Sequence, residues 1–156
     1  MEALLAALEA SGIATYLRSA RWGYAAVNGA HVLGIAVLVG AILPLDLRLL
    51  GFWRGIERGV LVRVLAPTAA CGLVLAVVAG VLLFSVRAGE YAALTVFQVK
   101  LALIVLGTLS ALGAHLRYGG SLQGAPAGAL RGTAVVSLLC WLGALTCGRL
   151  IAFVTG

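Results

Sequence analysis

The chain has 156 residues, 63% hydrophobic and only 10% charged, with a formal net charge of +6. A soluble domain of this size carries about 25% charged residues, so the composition excludes an ordinary water-soluble globule and predicts one integral membrane domain over residues 1–156. The positive balance does not predict nucleic-acid binding: no basic patch with interleaved aromatics occurs, and most arginines flank apolar segments, where they serve as topology signals and contacts to anionic lipid.

In chain order, the first twenty residues do not read as a cleavable signal, because Glu2 and Glu9 stand where a basic stretch belongs. They predict short amphipathic helical turns, interrupted near Ser11 and Gly12. Leu4, Leu5 and Leu8, then Ile13, Tyr16 and Leu17, would face the membrane or the bundle. The first span is expected over about 22–43, with helix continuing toward Leu50 and Pro44 as a kink position. The others are expected over about 60–86, 91–116 and 132–154, each supplying the ~20 apolar residues that a hydrocarbon core requires. Residues 51–59 read as a charged, glycine-punctuated loop, Arg87 to Glu90 as a tight turn, and Tyr118 to Arg131, centred on GGSLQGAPAGA, as a flexible loop. The fold class is therefore all-α: an integral membrane four-helix bundle with a short N-terminal amphipathic segment.

Small residues recur at helix-contact spacing: Gly72, Ala76 and Gly80 in the second span, Ala30 with Gly34 and Ala36 with Gly40 in the first, Ala144 with Gly148 in the fourth. Such rows let helix backbones approach closely in lipid. Cys71, Cys140 and Cys147 lie in apolar stretches with no C-x-x-C, and read as packing residues. Arg48, Arg54, Arg58, Arg63, Arg117 and Arg131 fall on one side of the predicted membrane, and Arg18, Arg21 and Arg87 on the other. The bias puts the first and third loops in the cytoplasm and both termini outside.

Three basic residues lie inside the spans: His31, Lys100 and Arg149. A charged residue at a helix centre costs roughly 2.5–3.5 kcal/mol on the insertion scale, so something must offset it. At 1.5 Å per residue, His31 and Lys100 are each roughly 13 Å inside the outer face, and Arg149 roughly 8 Å. The three are thus expected in one layer, whereas His115 is roughly 22 Å further in than Lys100. Tyr24, Asn28 and His31 follow i, i+4, i+7 spacing and form one helical stripe, so Tyr24 and Asn28 are candidates for orienting the imidazole. No carboxylate shares that layer; Asp46 lies at the opposite end of the first span, where an ion pair with Arg48, Arg117 or His115 would clamp helices together.

A b-type haem would satisfy these demands. His31 would be the metal ligand, Lys100 and Arg149 would meet the propionates, and the macrocycle would occupy an apolar slot between helices. A cavity or transport role for the same groups, or satisfied structural polar groups, are the competing explanations. No nucleophile elbow, P-loop, paired carboxylates or H-E-x-x-H is present, and the two histidines are too far apart in depth to share a metal. Copper handling is the weaker option, since the only methionine is Met1.

The runs HVLGIAVLVGAILPLDLRLLG, LAPTAACGLVLAVVAGVLLF and FQVKLALIVLGTLSALGAH resemble a family of small, uncharacterised bacterial four-helix membrane proteins, over about residues 22–118. More remotely, the pattern is similar to HemJ-type protoporphyrinogen oxidases, which carry b-type haem, and to the membrane domain of CopD-type copper-resistance proteins. The HemJ-type resemblance matches His31 to the family histidine, Pro67 to a proline opening the second helix, and Lys100 to the lysine of a W-x-x-K-like stretch in which Phe97 replaces tryptophan. DLRLLG stands where that family has a basic, tyrosine-containing segment, so the resemblance bears on the haem layer more than on the oxidase activity. Together these readings lead to an expected membrane cytochrome b or haem-dependent redox protein of a bacterial cytoplasmic membrane, with a homodimer or larger membrane complex open. The alternative is a non-enzymatic structural or transport subunit of a membrane assembly.

Overall fold

A computed structural model describes residues 2–122 and 124–154, and every regular element among them is a helix. Seven helices follow in order: α1 Glu2–Glu9, α2 Gly12–Ser19, α3 Arg21–Leu50, α4 Arg58–Val86, α5 Ala88–Ala93, α6 Thr95–Tyr118 and α7 Ala127–Val154. The four long ones, α3, α4, α6 and α7, are each long and apolar enough to cross a membrane. Even the shortest, α6 with 24 residues, extends roughly 36 Å at 1.5 Å per residue, against a hydrocarbon core of about 30 Å. Many large apolar side chains point outward, among them Val74, Val81, Leu109, Leu116 and Leu139, each more than half exposed. Such a surface suits lipid and not water.

Local chemistry sets the ends of these helices. Ser11 breaks the N-terminal segment as expected: its hydroxyl accepts from the Ala14 backbone N–H at 3.3 Å and caps α2. Helix α3 runs through Pro44 and ends at Gly51, which adopts φ +111°. There Phe52 N–H donates to Leu47 C=O at 3.0 Å and Gly51 N–H to Arg48 C=O at 3.1 Å, the paired bonds of a Schellman stop. The expected turn at Arg87–Glu90 is instead the start of α5. The third span does not begin at Tyr91: extended backbone at Leu94, ψ 118°, separates α5 from α6. The fourth helix begins at Ala127, earlier than expected, which shortens the preceding loop to 119–126; Gln123 in that loop lies outside the described residues. Inside the spans, Thr68, Thr108, Thr133 and Thr146 donate to the carbonyl one turn back at 2.7–3.0 Å, so their hydroxyls are satisfied within their own helices.

Contacts divide the chain into two compact units, Met1–Leu38 with Ala70–Thr95, and Val39–Ala69 with Val96–Gly156. In the first, α3 and α4 touch backbone to backbone. A Cβ on Gly34 would lie 2.5 Å from Ala76 N, and one on Gly72 would lie 2.6 Å from Leu38 N. The predicted Gly72–Ala76–Gly80 row and Gly34 therefore do form a contact, whereas Gly40 faces open space. Helix α1 packs on α5. Glu9 Oε1 accepts from Gly89 N–H at 2.8 Å, and the Arg18 guanidinium donates to Val86 C=O at 3.2 Å and also to Glu9 C=O. In the second unit, Leu45, Leu49, Val62, Ala114, Leu122, Ala125, Leu130 and Ala134 form one apolar core, drawn from all four long helices and the 119–126 loop. Gly107 admits Cys140 and Trp141 of α7 against α6, with a Cβ there 3.1–3.2 Å from their nearest atoms.

Candidate functional site

His31 sits in the first half of α3, in the first unit, and is half-buried. Its Nδ1 lies 2.7 Å from Ala76 C=O of α4. A carbonyl only accepts, so Nδ1 carries the hydrogen, and in the neutral ring Nε2 then bears the lone pair. The ring lies over Gly80, one turn beyond Ala76: a Cβ there would come 3.1 Å from His31 Cε1 and 3.3 Å from Nδ1. The glycine provides the seat and the carbonyl fixes the orientation.

Of the two residues expected to flank it, Tyr24 is 38% exposed and Asn28 is exposed as well. The charge environment of Tyr24 is linked to Tyr91 of α5. Burial pushes the Tyr91 phenol above its ordinary range, Tyr24 and Glu90 add to that effect, and Arg87 opposes it. Arg87 and Glu90 form an exposed ion pair at 3.4 Å.

Lys100 and Arg149 belong to the second unit. Lys100 is half-buried on α6 with its Nζ against α7, 3.5 Å from where a Gly148 Cβ would stand, and Cys147 is a close electrostatic neighbour. It therefore shares a level with Arg149, the residue after Gly148. Arg149 is exposed, its guanidinium 4.9 Å from the centre of the Phe153 ring on its own helix. Cation–ring contact of this kind offsets part of the cost of a charge in apolar surroundings.

The most deeply buried polar group among the described residues of the second unit is Asp46, 4% exposed, with the buried Ser137 of α7 as its polar neighbour. Sequence reasoning paired Asp46 with a cation and overlooked Ser137. The structure corrects this. Arg48 Nε donates to Ile56 C=O at 2.8 Å, Arg117 lies 5.6 Å from the Tyr118 ring, and His115 Nδ1 bonds Ala111 C=O at 2.9 Å. Asp46 Oδ2 and His115 Nε2 are buried without a hydrogen-bond partner among the described residues. Depth was a usable signal: counted from Leu50 and from the expected helix start at Gly132, Asp46 and Ser137 are each roughly 6–8 Å in.

Among the described residues, no group of three or more His, Cys, Asp or Glu side chains is placed to hold a metal ion. Comparison with known proteins finds no matching family model, no matching curated relative and no matching solved structure.

Proposed function

We propose that this chain is a small membrane haem-b-binding redox protein, a cytochrome b-like electron carrier or a haem-dependent oxidoreductase. The observation that carries the reading is the seating of His31. Its Nδ1–H is committed to Ala76 C=O, as in ligating histidines whose second ring nitrogen is held by a carbonyl, and Nε2 is the basic nitrogen a ferric or ferrous iron takes. Within the second unit, Lys100 and Arg149 lie on one level of α6 and α7, the pairing of cations expected from the sequence. When bound, haem would supply one-electron chemistry. The protein's part would be to hold the imidazole in one tautomer and to keep the surroundings apolar. The exposure of Tyr24 and Asn28 gives them a role at the rim of such a site and leaves room for a second copy or a larger assembly. The basic-residue bias supports a bacterial cytoplasmic membrane with the termini on the periplasmic side.

A structural or transport subunit is the second reading, favoured by the local seats that Lys100 and Arg149 already have against Gly148 and Phe153. Absorption spectra separate the two. Full-length protein purified from haem-replete cells should show a Soret band and reduced α and β bands; His31→Ala should abolish them and His115→Ala should leave them. A folded, colourless protein overturns the haem reading.

A further inference from the structure

The chain between α3 and α4 reads in the sequence as a charged loop, yet its folded surface is largely apolar. Phe52 is 58% exposed, Trp53 51% and Ile56 46%. The two charged residues of the segment 51–57, Arg54 and Glu57, are of opposite sign, so the segment carries no net charge.

Backbone bonds fix the shape of this loop. After the stop at Gly51, Ile56 N–H donates to Trp53 C=O at 2.9 Å, and Arg48 Nε donates to Ile56 C=O at 2.8 Å. Arg48 belongs to the last turn of α3, so its bond holds the loop beside the end of that span. Within the turn Trp53 has φ +48°, a left-handed conformation that suits glycine and that bulky side chains rarely adopt. Such a residue persists where its surroundings hold it in place. With half of its surface exposed, packing inside the protein does not account for a tryptophan here.

The apolar surface continues beyond the loop. Val60, Val64 and Pro67 follow at helical spacing on the first turns of α4, and all three are exposed. The patch thus runs on into the outward side of a helix long and apolar enough to cross a membrane. A loop that joins two such helices lies at the membrane–water boundary by connectivity. Tryptophan is enriched at that boundary, because an indole combines a large apolar face with an N–H that reaches head groups or water.

We propose that Phe52, Trp53 and Ile56 form an interfacial anchor, embedded at the head-group level of the bilayer that α3 and α4 cross. The partner is the lipid boundary itself, met through apolar burial and not through charge. The anchor is independent of the haem reading.

Fluorescence of the full-length protein in phosphatidylcholine liposomes tests this. Trp22 and Trp141 remain in Trp53→Phe, so the emission lost in that variant belongs to Trp53. That component should lose most of its intensity when the lipid is brominated on acyl-chain carbons close to the head group, and less when the bromines lie at the bilayer centre. Added salt should leave the loss unchanged, since no net charge is involved. The double variant F52S/I56S, altered at two exposed side chains, should weaken the quenching while circular dichroism keeps the helical signal. Absence of quenching by the brominated lipid overturns the proposal: Trp53 reached by soluble iodide would then lie in water, and Trp53 protected from both quenchers would lie under another chain. Quenching that appears only when phosphatidylglycerol is added overturns it as well.

Discussion

Two glycines in this protein are required by contact distance. Gly34 and Gly72 face each other where α3 and α4 meet, and a methyl at either would stand within 2.6 Å of the opposing backbone. Backbone cannot give way as a flexible side chain can, so Gly72→Leu should separate the two helices and cost at least the ~1–3 kcal/mol typical of overpacking. Gly40→Leu, one exposed position along α3, should change little. Thermal melts of the two variants in detergent would check the contrast. The same rigidity explains why His31 reaches Ala76 C=O: with the backbones this close, an imidazole spans the gap and Gly80 leaves the room it needs. The row of small residues was legible in the sequence as a contact face, but the ring seated on it was not, since nothing in a Gly-x-x-x-Ala-x-x-x-Gly pattern says which neighbour will occupy the last position. Asp46 shows the opposite limit. Its burial could be read from its place near the end of an apolar helix, yet charge suggested a cation as partner, and its neighbour is the buried, uncharged Ser137.

At the level of the helices, the four long apolar segments were legible because composition alone decides them, and the break at Ser11 was legible because serine at that point is a capping residue. The break at Leu94 carried no such mark. No glycine or proline lies within EYAALTVFQ, and an apolar leucine in extended conformation interrupts what reads as continuous helix. The short helix α5 exists because tertiary bonds hold it, above all the Glu9 carboxylate on Gly89 N–H. Local capping and tertiary capping should therefore respond differently to mutation. Ser11→Ala removes one side-chain bond and should cost about 1 kcal/mol, with the loss confined to α2. Amide hydrogen exchange measured helix by helix should show faster exchange at residues 12–15 and unchanged protection in α4.

For the whole molecule, the decisive property is an outer surface that stays apolar after folding. In a bilayer that surface is covered by lipid, which makes cysteine reactivity a direct readout. Cys71 is exposed on α4 and Cys140 is buried between helices. In membranes, Cys71 should react with a lipid-soluble maleimide and resist a charged one, and Cys140 should resist both until the protein is denatured. Labelling of Cys71 by the charged reagent in intact membranes would show that this part of α4 does not face lipid. The Arg18 clasp, finally, has a consequence in time. Its acceptor on Val86 lies 68 residues downstream, and the Gly89 amide that Glu9 holds lies 80 residues from it. Translation runs at about 5–20 residues per second, so the first two helices emerge on the order of several seconds before the segment that fastens them. Through that interval the two long-range bonds cannot form, and the amphipathic pattern of these helices suits them to rest at the membrane surface.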